Sequence, residues 1–224
     1  MTRRLAAVIP AYDAEPSVGD VVRATLEMTQ PVLVVDDGSV DETGERAREA
    51  GAEVIRHDHN RGKGAALRTA FSHLFEQGYH AVLTLDADGQ HLASEIPKLV
   101  AAWRAGGDLV LGDREHLFAR MSRLRQRSNG ISSGLISFVA GRRVGDVQTG
   151  FRIYSRRLIQ RTGFPEDRFE AESAVVVRAA RRGFNIVAVP IELGFADGRC
   201  TSHYRPIIDS LRIARAVIAA RLLG

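Results

Sequence analysis

Two aspartates spaced two apart, Asp86 and Asp88, stand in DADGQH (86–91), directly after the apolar run HAVLTL (80–85). In an extended segment, side chains at i and i+2 point the same way. Both carboxylates then face one site, with Gln90 following if the geometry persists. Two bare carboxylates side by side repel each other. A hard divalent cation removes the repulsion, and Mg²⁺ or Mn²⁺ held in this way also takes diphosphate oxygens. The competing reading has one aspartate capping the next helix and the other solvated. A second acidic segment, VVDDGSVDET (34–43), closes another apolar run. A carboxylate of Asp36 or Asp37 can accept hydrogen bonds from a base N–H or a ribose hydroxyl, Gly38 allows a tight turn, and Ser39 or Asp41 can cap the next helix.

The other chemistry-bearing segments are less specific. NRGKGAAL (60–67) lacks the GxxxxGK[ST] spacing, which excludes a P-loop ATPase. Its glycines still permit close backbone approach at a helix N-terminus, a place that favours anions, and Lys63 is either a ligand group or a first-turn residue. DVQTGFRIY (146–154) sets a polar cluster, a glycine and an arginine before a strand. In FEAE (169–172), Glu170 and Glu172 fall near a helix start, where one can act as a general base or both can favour the helix dipole. RCTSHYR (199–205) is a basic, hydroxyl-rich loop suited to a phosphate, or an ordinary surface loop.

These segments need elements to position them. Short apolar runs alternate with helical patterns over the first half, giving strands at 5–10, 31–36, 52–56, 80–85 and 108–112, and helices at 17–28, 41–50, 62–77 and 94–105. Apolar runs without polar alternation mark strands covered on both faces, and strand–helix alternation implies a parallel, doubly wound α/β sheet. Ligands bind such sheets beyond the carboxyl ends of the strands, where IPAYD (9–13), DDGS (36–39), HNRGKG (59–64), DADGQH (86–91) and GDR (112–114) gather. The second half reads as an Arg-rich helix at 116–140, strands at 150–154 and 185–193, and helices at 170–182 and 206–223. The last helix carries an apolar stripe at Ile207, Leu211, Ala214, Ile218 and Leu222. The expected organisation is one domain over 1–224, with the regular alternation in 1–115 and a variable second half, 116–224.

Composition narrows the classes. One cysteine, Cys200, excludes an intrachain disulfide. No run approaches the ~18 apolar residues of a membrane span, and no signal peptide is evident, so a cytoplasmic chain is expected, with at most peripheral contact at the cytoplasmic membrane face. Net charge is +4, and Lys63 and Lys98 are the only lysines. From Arg114 to Arg161 eleven arginines face two acids, Glu115 and Asp146. That block is either a field that attracts anions or a solvated helix face. Aromatic residues are not interleaved with the arginines, which argues against nucleic acid.

Taken together, IPAYD, VVDDGSVDET, NRGKGAAL, DADGQH, GDR, DVQTGFR and the Ser202-His203 loop resemble family 2 glycosyltransferases of the GT-A fold. More narrowly they resemble the dolichyl-phosphate (polyprenyl-phosphate) mannose synthase group, in the expected order and over nearly the whole chain. The resemblance implies a Rossmann-like, mostly parallel central sheet flanked by helices on both faces. It implies that Pro10, Tyr12 and Asp37 hold the base and ribose with Val35 behind them. Asp86 and Ala87 would contact the nucleotide, Asp88 and Gln90 would hold the metal, and Lys63 would join the donor-binding set. Arg114 would face the diphosphate or the acceptor phosphate, Arg199 and Ser202 would close over phosphate, and Glu172 would contact sugar or acceptor. Asp88, Arg114 and Glu172 form the implied catalytic set. The chain departs from the family at Asp13-Ala14, where Asn-Glu is usual, so a nucleotide contact is lost at Ala14 unless Glu15 takes it. Asp113 also stands where a small residue is common, and no membrane-spanning tail is expected after the catalytic part, unlike in many relatives.

The expected activity is inverting transfer of mannose or glucose from GDP-mannose or UDP-glucose to a polyprenyl phosphate. The alternatives are transfer to a hydroxyl acceptor, or a non-catalytic nucleotide-sugar-binding module that recruits a membrane protein.

Overall fold

The computed structural model of the chain describes residues 3–114, 116, 139, 141, 147–194 and 206–223. β1 (Leu5–Ala11) leads into α1 (Glu15–Met28), β2 (Val32–Asp36) into α2 (Thr43–Glu49), and β3 (Glu53–Arg56) into α3 (Lys63–Glu76). β4 (Ala81–Thr84) is followed by a 3₁₀ turn (Ala93–Glu95) and α4 (Ile96–Arg104), then by β5 (Leu109–Asp113). The later part supplies β6 (Arg152–Ser155), α5 (Arg156–Thr162), α6 (Glu170–Arg181), β7 (Ile186–Pro190) and α7 (Pro206–Leu223).

The strands form one sheet in the order β3-β2-β1-β4-β6-β5-β7. β2, β4 and β6 are buried throughout, whereas the edge strands β3 and β7 are partly exposed. The apolar runs therefore mark strands covered on both sides, because successive side chains alternate between the faces. Ala6, Val8, Leu33 and Val35 join α3, α6 and α7 in one core layer. Ala7, Ile9, Val32 and Val34 join α1, α2 and α4 in the other.

Strand β6 runs antiparallel to both its neighbours, β4 and β5, while the other pairs are parallel. Strand–helix alternation could not announce this, since a strand's direction leaves no local trace. The consequence is positional. Thr84 pairs with Arg152, so the end of β4 lies beside the start of β6, and DADGQH and QTGFR meet at one edge of the sheet.

Two expectations change. Helix α5 has no counterpart in the sequence reading, although Ser155 caps it, its Oγ accepting the Leu158 N–H at 3.1 Å. Helix α7 packs on α6 through Ile213, Val217 and Ala220, while Ile218 is 56% exposed. The expected stripe through Ala214 and Ile218 is thus not the packed face. The helix is apolar on more than one side, and periodicity alone cannot choose between them. The expected helix at 116–140 lies outside the described residues, save His116 and Val139.

Candidate functional site

The loops after β1 and β2 interlock. Helix α1 starts after Ala14, which has no capping side chain, so its first N–H groups are satisfied from the neighbouring loop. The Asp13 N–H donates to Ser39 Oγ (3.0 Å), Ala14 N–H to Thr43 Oγ1 (2.7 Å) and Glu15 N–H to Asp41 Oδ2 (3.1 Å). In return Asp13 Oδ1 accepts the Val40 N–H at 2.9 Å. Asp13 holds a φ of 47°, a left-handed conformation that aspartate tolerates better than most residues. Burial pushes the Asp41 carboxyl upward, but hydrogen bonds from Thr43 and the Glu15 N–H outweigh it and hold it below its ordinary value. Tyr12, half-buried beside these loops, is pushed the other way, above the usual phenol value, chiefly by the Asp13 carboxylate.

Of the residues assigned to the base and ribose, Pro10 is half-buried at the end of β1 and Val35 lies in the core of β2. Asp37 is 3% exposed. Its Oδ1 accepts the Arg61 N–H (2.9 Å) and its Oδ2 the Gly62 N–H (2.7 Å). Asp36 is fully buried, with Oδ1 accepting the Ser39 N–H at 2.9 Å. The side chain of Ala14 points into the core, and Glu15 Oε1 lies 3.7 Å from Arg46 of α2.

The charged centre of the site is Asp86. Lys63 Nζ lies 2.6 Å from Asp86 Oδ1 and 2.8 Å from Glu172 Oε2. One ammonium thus joins the β4 loop, the N-terminus of α3 and the first turn of α6. Burial lowers the Lys63 pKa, but the two carboxylates outweigh it and hold the ammonium above its ordinary value. Burial likewise raises that of Asp86, and Lys63, His91 and Arg114 together hold it below the usual carboxylate range. Arg114, just past β5, therefore acts on the same spot as Lys63. The Asp86 N–H donates to His91 Nδ1 at 3.3 Å, and the His91 ring stacks on Phe151 with centroids 5.2 Å apart.

Gly150 forms the floor. A Cβ built there would lie 2.3 Å from Asp86 Oδ2, so only glycine leaves the carboxylate its place. Thr84 Oγ1 donates to the Gly150 carbonyl at 2.8 Å. Below it, the fully buried Arg152 donates to the carbonyls of Val147 (2.8 Å), Thr149 (2.7 Å) and Glu172 (2.7 Å). Glu172 is 7% exposed, and its Oε1 has no hydrogen-bond partner among the described residues and lies 3.8 Å from Arg152 Nε. Sequence reasoning noted Gly150 and Arg152 only as part of a polar cluster and gave His91 no role. The signal was the meeting of β4 and β6, which spacing along the chain does not carry.

The DxD segment is not extended, contrary to expectation. The chain leaves extended conformation after β4, turns at Ala87-Asp88 and passes through Gly89 at a φ of 74°. Asp86 engages Lys63, while Asp88 Oδ1 accepts the Gln90 N–H at 3.0 Å. Ala87 is buried, and its carbonyl accepts from Ser17 Oγ at 2.7 Å, which pins the turn to α1. Among the described residues no group of three or more His, Cys, Asp or Glu side chains is arranged to hold a metal ion. The donor chemistry still suits one. A carboxylate at Asp88 and an amide oxygen at Gln90 are hard donors, and Mg²⁺ commonly takes only one or two protein ligands and completes its shell with phosphate oxygens and water. The pair fits a cation that arrives with a diphosphate.

The expectation of an anion at the N-terminus of α3 is also revised. A Cβ on Gly62 would lie 2.4 Å from the Asp167 carbonyl, and one on Gly64 2.4 Å from that of Glu166. Ala65 N–H donates to the Asp167 carbonyl at 2.9 Å. The backbone that these glycines admit is the chain's own segment 164–168, which Arg68 also grips through the Pro165 carbonyl (3.0 Å) and Asp167 Oδ1 (2.6 Å). Arg199 and Ser202, assigned to phosphate, lie outside the described residues.

The family model described as Glycosyl transferase family 2 matches residues 6–164. A dolichyl-phosphate hexose transferase of Haloferax volcanii is 34% identical over 190 residues, covering 84% of this chain and 81% of that protein. A polyprenol monophosphomannose synthase of Mycolicibacterium smegmatis is 30% identical over 210 residues, covering 85% of this chain and 77% of the other. Among solved structures, glucosyl-3-phosphoglycerate synthase from Mycobacterium tuberculosis, in complex with Mn²⁺, UDP and phosphoglyceric acid, superposes with a TM-score of 0.73. It is 22% identical, and the match covers 98% of this chain and 78% of that one. That likeness is one of fold.

Proposed function

Because the chain belongs to glycosyl transferase family 2 and has the GT-A fold, we propose that it transfers a hexosyl group, mannose or glucose, from a nucleotide sugar to a polyprenyl phosphate, with inversion. The observation that carries the donor part is Asp86, kept ionised by Lys63 at 2.6 Å, at the carboxyl edge of the sheet beside the oxygen donors Asp88 and Gln90. The names of relatives matched over most of both chains support the lipid-phosphate acceptor.

On this reading Pro10 and Tyr12 bound the base and ribose, with Val35 and the buried Asp37 supporting them from below and Glu15 at the rim. The Tyr12 phenol, held protonated, donates. Asp86 accepts from hydroxyls of the donor, and the turn at Ala87 sets its height. A divalent cation, Mg²⁺ or Mn²⁺, held by Asp88 and Gln90 would offset charge on the diphosphate leaving group. Arg114 supplies a fixed positive charge at the same place, and Arg199 and Ser202 close over phosphate. An oxygen of the acceptor phosphate bonds to the anomeric carbon as the bond from that carbon to the diphosphate oxygen breaks, and the nucleoside diphosphate leaves. A phosphate monoester, with a second pKa of about 6, is largely ionised at neutral pH and requires no general base. This agrees with Glu172, whose Oε2 already serves Lys63. Residues 1–115 hold the donor and 116–224 the acceptor. No helix among the described residues is long and apolar enough to cross a membrane. The lipid is then met by peripheral contact at the cytoplasmic membrane face or through a membrane-protein partner.

The test is to incubate the chain with polyprenyl phosphate, GDP-mannose or UDP-glucose, and Mg²⁺ or Mn²⁺, and to seek the lipid-linked sugar by mass spectrometry. Donor hydrolysis without a lipid product would leave the donor reading standing and remove the acceptor. No turnover of any common donor would remove both.

A further inference from the structure

Behind the donor edge, two buried residues hydrogen-bonded in line with Asp37, His57 and Thr69, have no part in the roles above. His57, which follows β3, places Nδ1 2.7 Å from Asp37 Oδ1 and Nε2 3.0 Å from Thr69 Oγ1 on α3. The His57 side chain is 4% exposed. Asp37 already accepts two backbone N–H bonds, so toward the ring it is an acceptor, and Nδ1 must carry the proton and donate. Nε2 meets a hydroxyl that can either donate or accept, so that bond stands in either ring state. One carboxylate thus gathers three N–H donors from the segment 57–62 and closes that segment around itself. The loops after β2 and β3 also pack backbone to backbone, since a Cβ on Gly38 would lie 2.4 Å from the carbonyl carbon of His59. Gly62 is followed by Lys63, which grips Asp86.

We infer that His57 is a positioning residue for the donor site: clamped by Thr69, it fixes the Asp37 carboxylate, which in turn fixes the Arg61-Gly62 backbone and the point from which Lys63 reaches Asp86. The inference rests on reading this edge as a nucleotide-sugar site. It assigns His57 no contact with substrate and no proton transfer. Its effect is on how well the empty site is prepared to receive the nucleotide, and so on donor affinity more than on turnover.

The experiment uses two amides that each copy one end of the imidazole. In His57→Asn the amide nitrogen lies where Nδ1 does and can still donate to Asp37. In His57→Gln it lies where Nε2 does, keeping the Thr69 bond and losing Asp37. Binding of UDP with MnCl₂ and of GDP with MnCl₂ to the full chain is measured by calorimetry, beside thermal unfolding. His57→Gln should weaken the nucleotide that binds by about tenfold, the loss expected for a hydrogen bond to a charged group, and His57→Asn should stay within about threefold. In the transfer assay, His57→Gln should raise the donor KM more than it lowers kcat. A purely structural histidine predicts lower melting temperatures for both variants and an unchanged Kd for both, and that result overturns the inference, as does weaker binding by His57→Asn than by His57→Gln. Should His57→Gln fail to fold, Thr69→Val frees the ring to turn away from Asp37 and should weaken binding about threefold; an unchanged Kd then overturns it. A wild-type chain that binds neither nucleotide overturns the donor reading and this inference together, whereas wild-type binding with an unaffected His57→Gln overturns this inference alone.

Discussion

Lys63 is a single cation between two carboxylates of different elements, Asp86 at 2.6 Å and Glu172 at 2.8 Å. Removing one partner of a buried ion pair leaves the remaining charges uncompensated. Lys63→Met should therefore lower unfolding free energy by about 3 kcal/mol in urea titrations. Adding Glu172→Gln should restore part of it, since one of the stranded charges is then gone; a double variant no more stable than the single would show that the three groups do not act together. The pH dependence has a definite sign. The folded-state pKa values of Asp86 and Asp41 lie below their ordinary 3.8, so their contribution is complete above that value and is lost as pH falls through the folded values. That of Lys63 lies above its ordinary 10.5, so its contribution is complete below that value and is lost only as pH rises through the folded one. Between these limits Asp86, Asp41 and Lys63 leave stability flat, whereas His91, held by burial below its ordinary 6.5, costs stability as pH falls below that value. Asp41→Asn should lower stability at neutral pH and so shrink the acid-side loss, which unfolding curves at stepped pH will read. Sequence reading placed Asp86 and Lys63 at the carboxyl edge because both follow strands. It left the bridge to Glu172 unseen, because that pairing depends on where α6 docks rather than on any spacing.

At the scale of elements, the glycines separate function from folding. A Cβ at Gly150 meets the end of a movable side chain, Asp86 Oδ2, whereas one at Gly64 meets the Glu166 backbone carbonyl. Gly150→Ala should push the partly exposed Asp86 carboxylate off Lys63, lowering turnover at least about tenfold while costing less stability than Gly64→Ala, because a side chain yields where backbone does not. Gly64→Ala should force α3 and the 164–168 segment apart and cost about 1–3 kcal/mol. Comparing donor turnover with melting temperature in the two variants checks the split, and equal losses on both measures would refute it. Most elements here were legible. β1 to β5 with their helices lie within a few residues of expectation, because a strand buried on both faces must be a short apolar run. What could not be read was the reversed β6, since the pattern of RIYS is the same in either direction. Yet that reversal brings Gly150 under Asp86. The interlocked start of α1 was equally hidden, because its caps come from Ser39, Asp41 and Thr43 on another loop.

At the scale of the whole molecule, α7 has two apolar sides and one is already in use. Val217 is buried against the core layer that contains α3 and α6, while the adjacent Ile218 is 56% exposed and the nearby Arg215 is exposed. Val217→Asp puts an unpaired charge into that layer and should cost about 3 kcal/mol or more, enough to unfold a marginal domain. Ile218→Ser should leave unfolding free energy within about 0.5 kcal/mol of the parent. The proposed peripheral contact makes a further demand on this outer side. An exposed isoleucine beside arginine suits an anionic lipid surface, where an apolar face enters the headgroup boundary and basic residues add electrostatic attraction. Ile218→Ser combined with Arg215→Ser should then reduce sedimentation with anionic phospholipid vesicles and leave binding to nucleotide in solution untouched. If the double variant sediments as the parent does, the membrane is met elsewhere, and the exposed side of α7 is an ordinary helix surface.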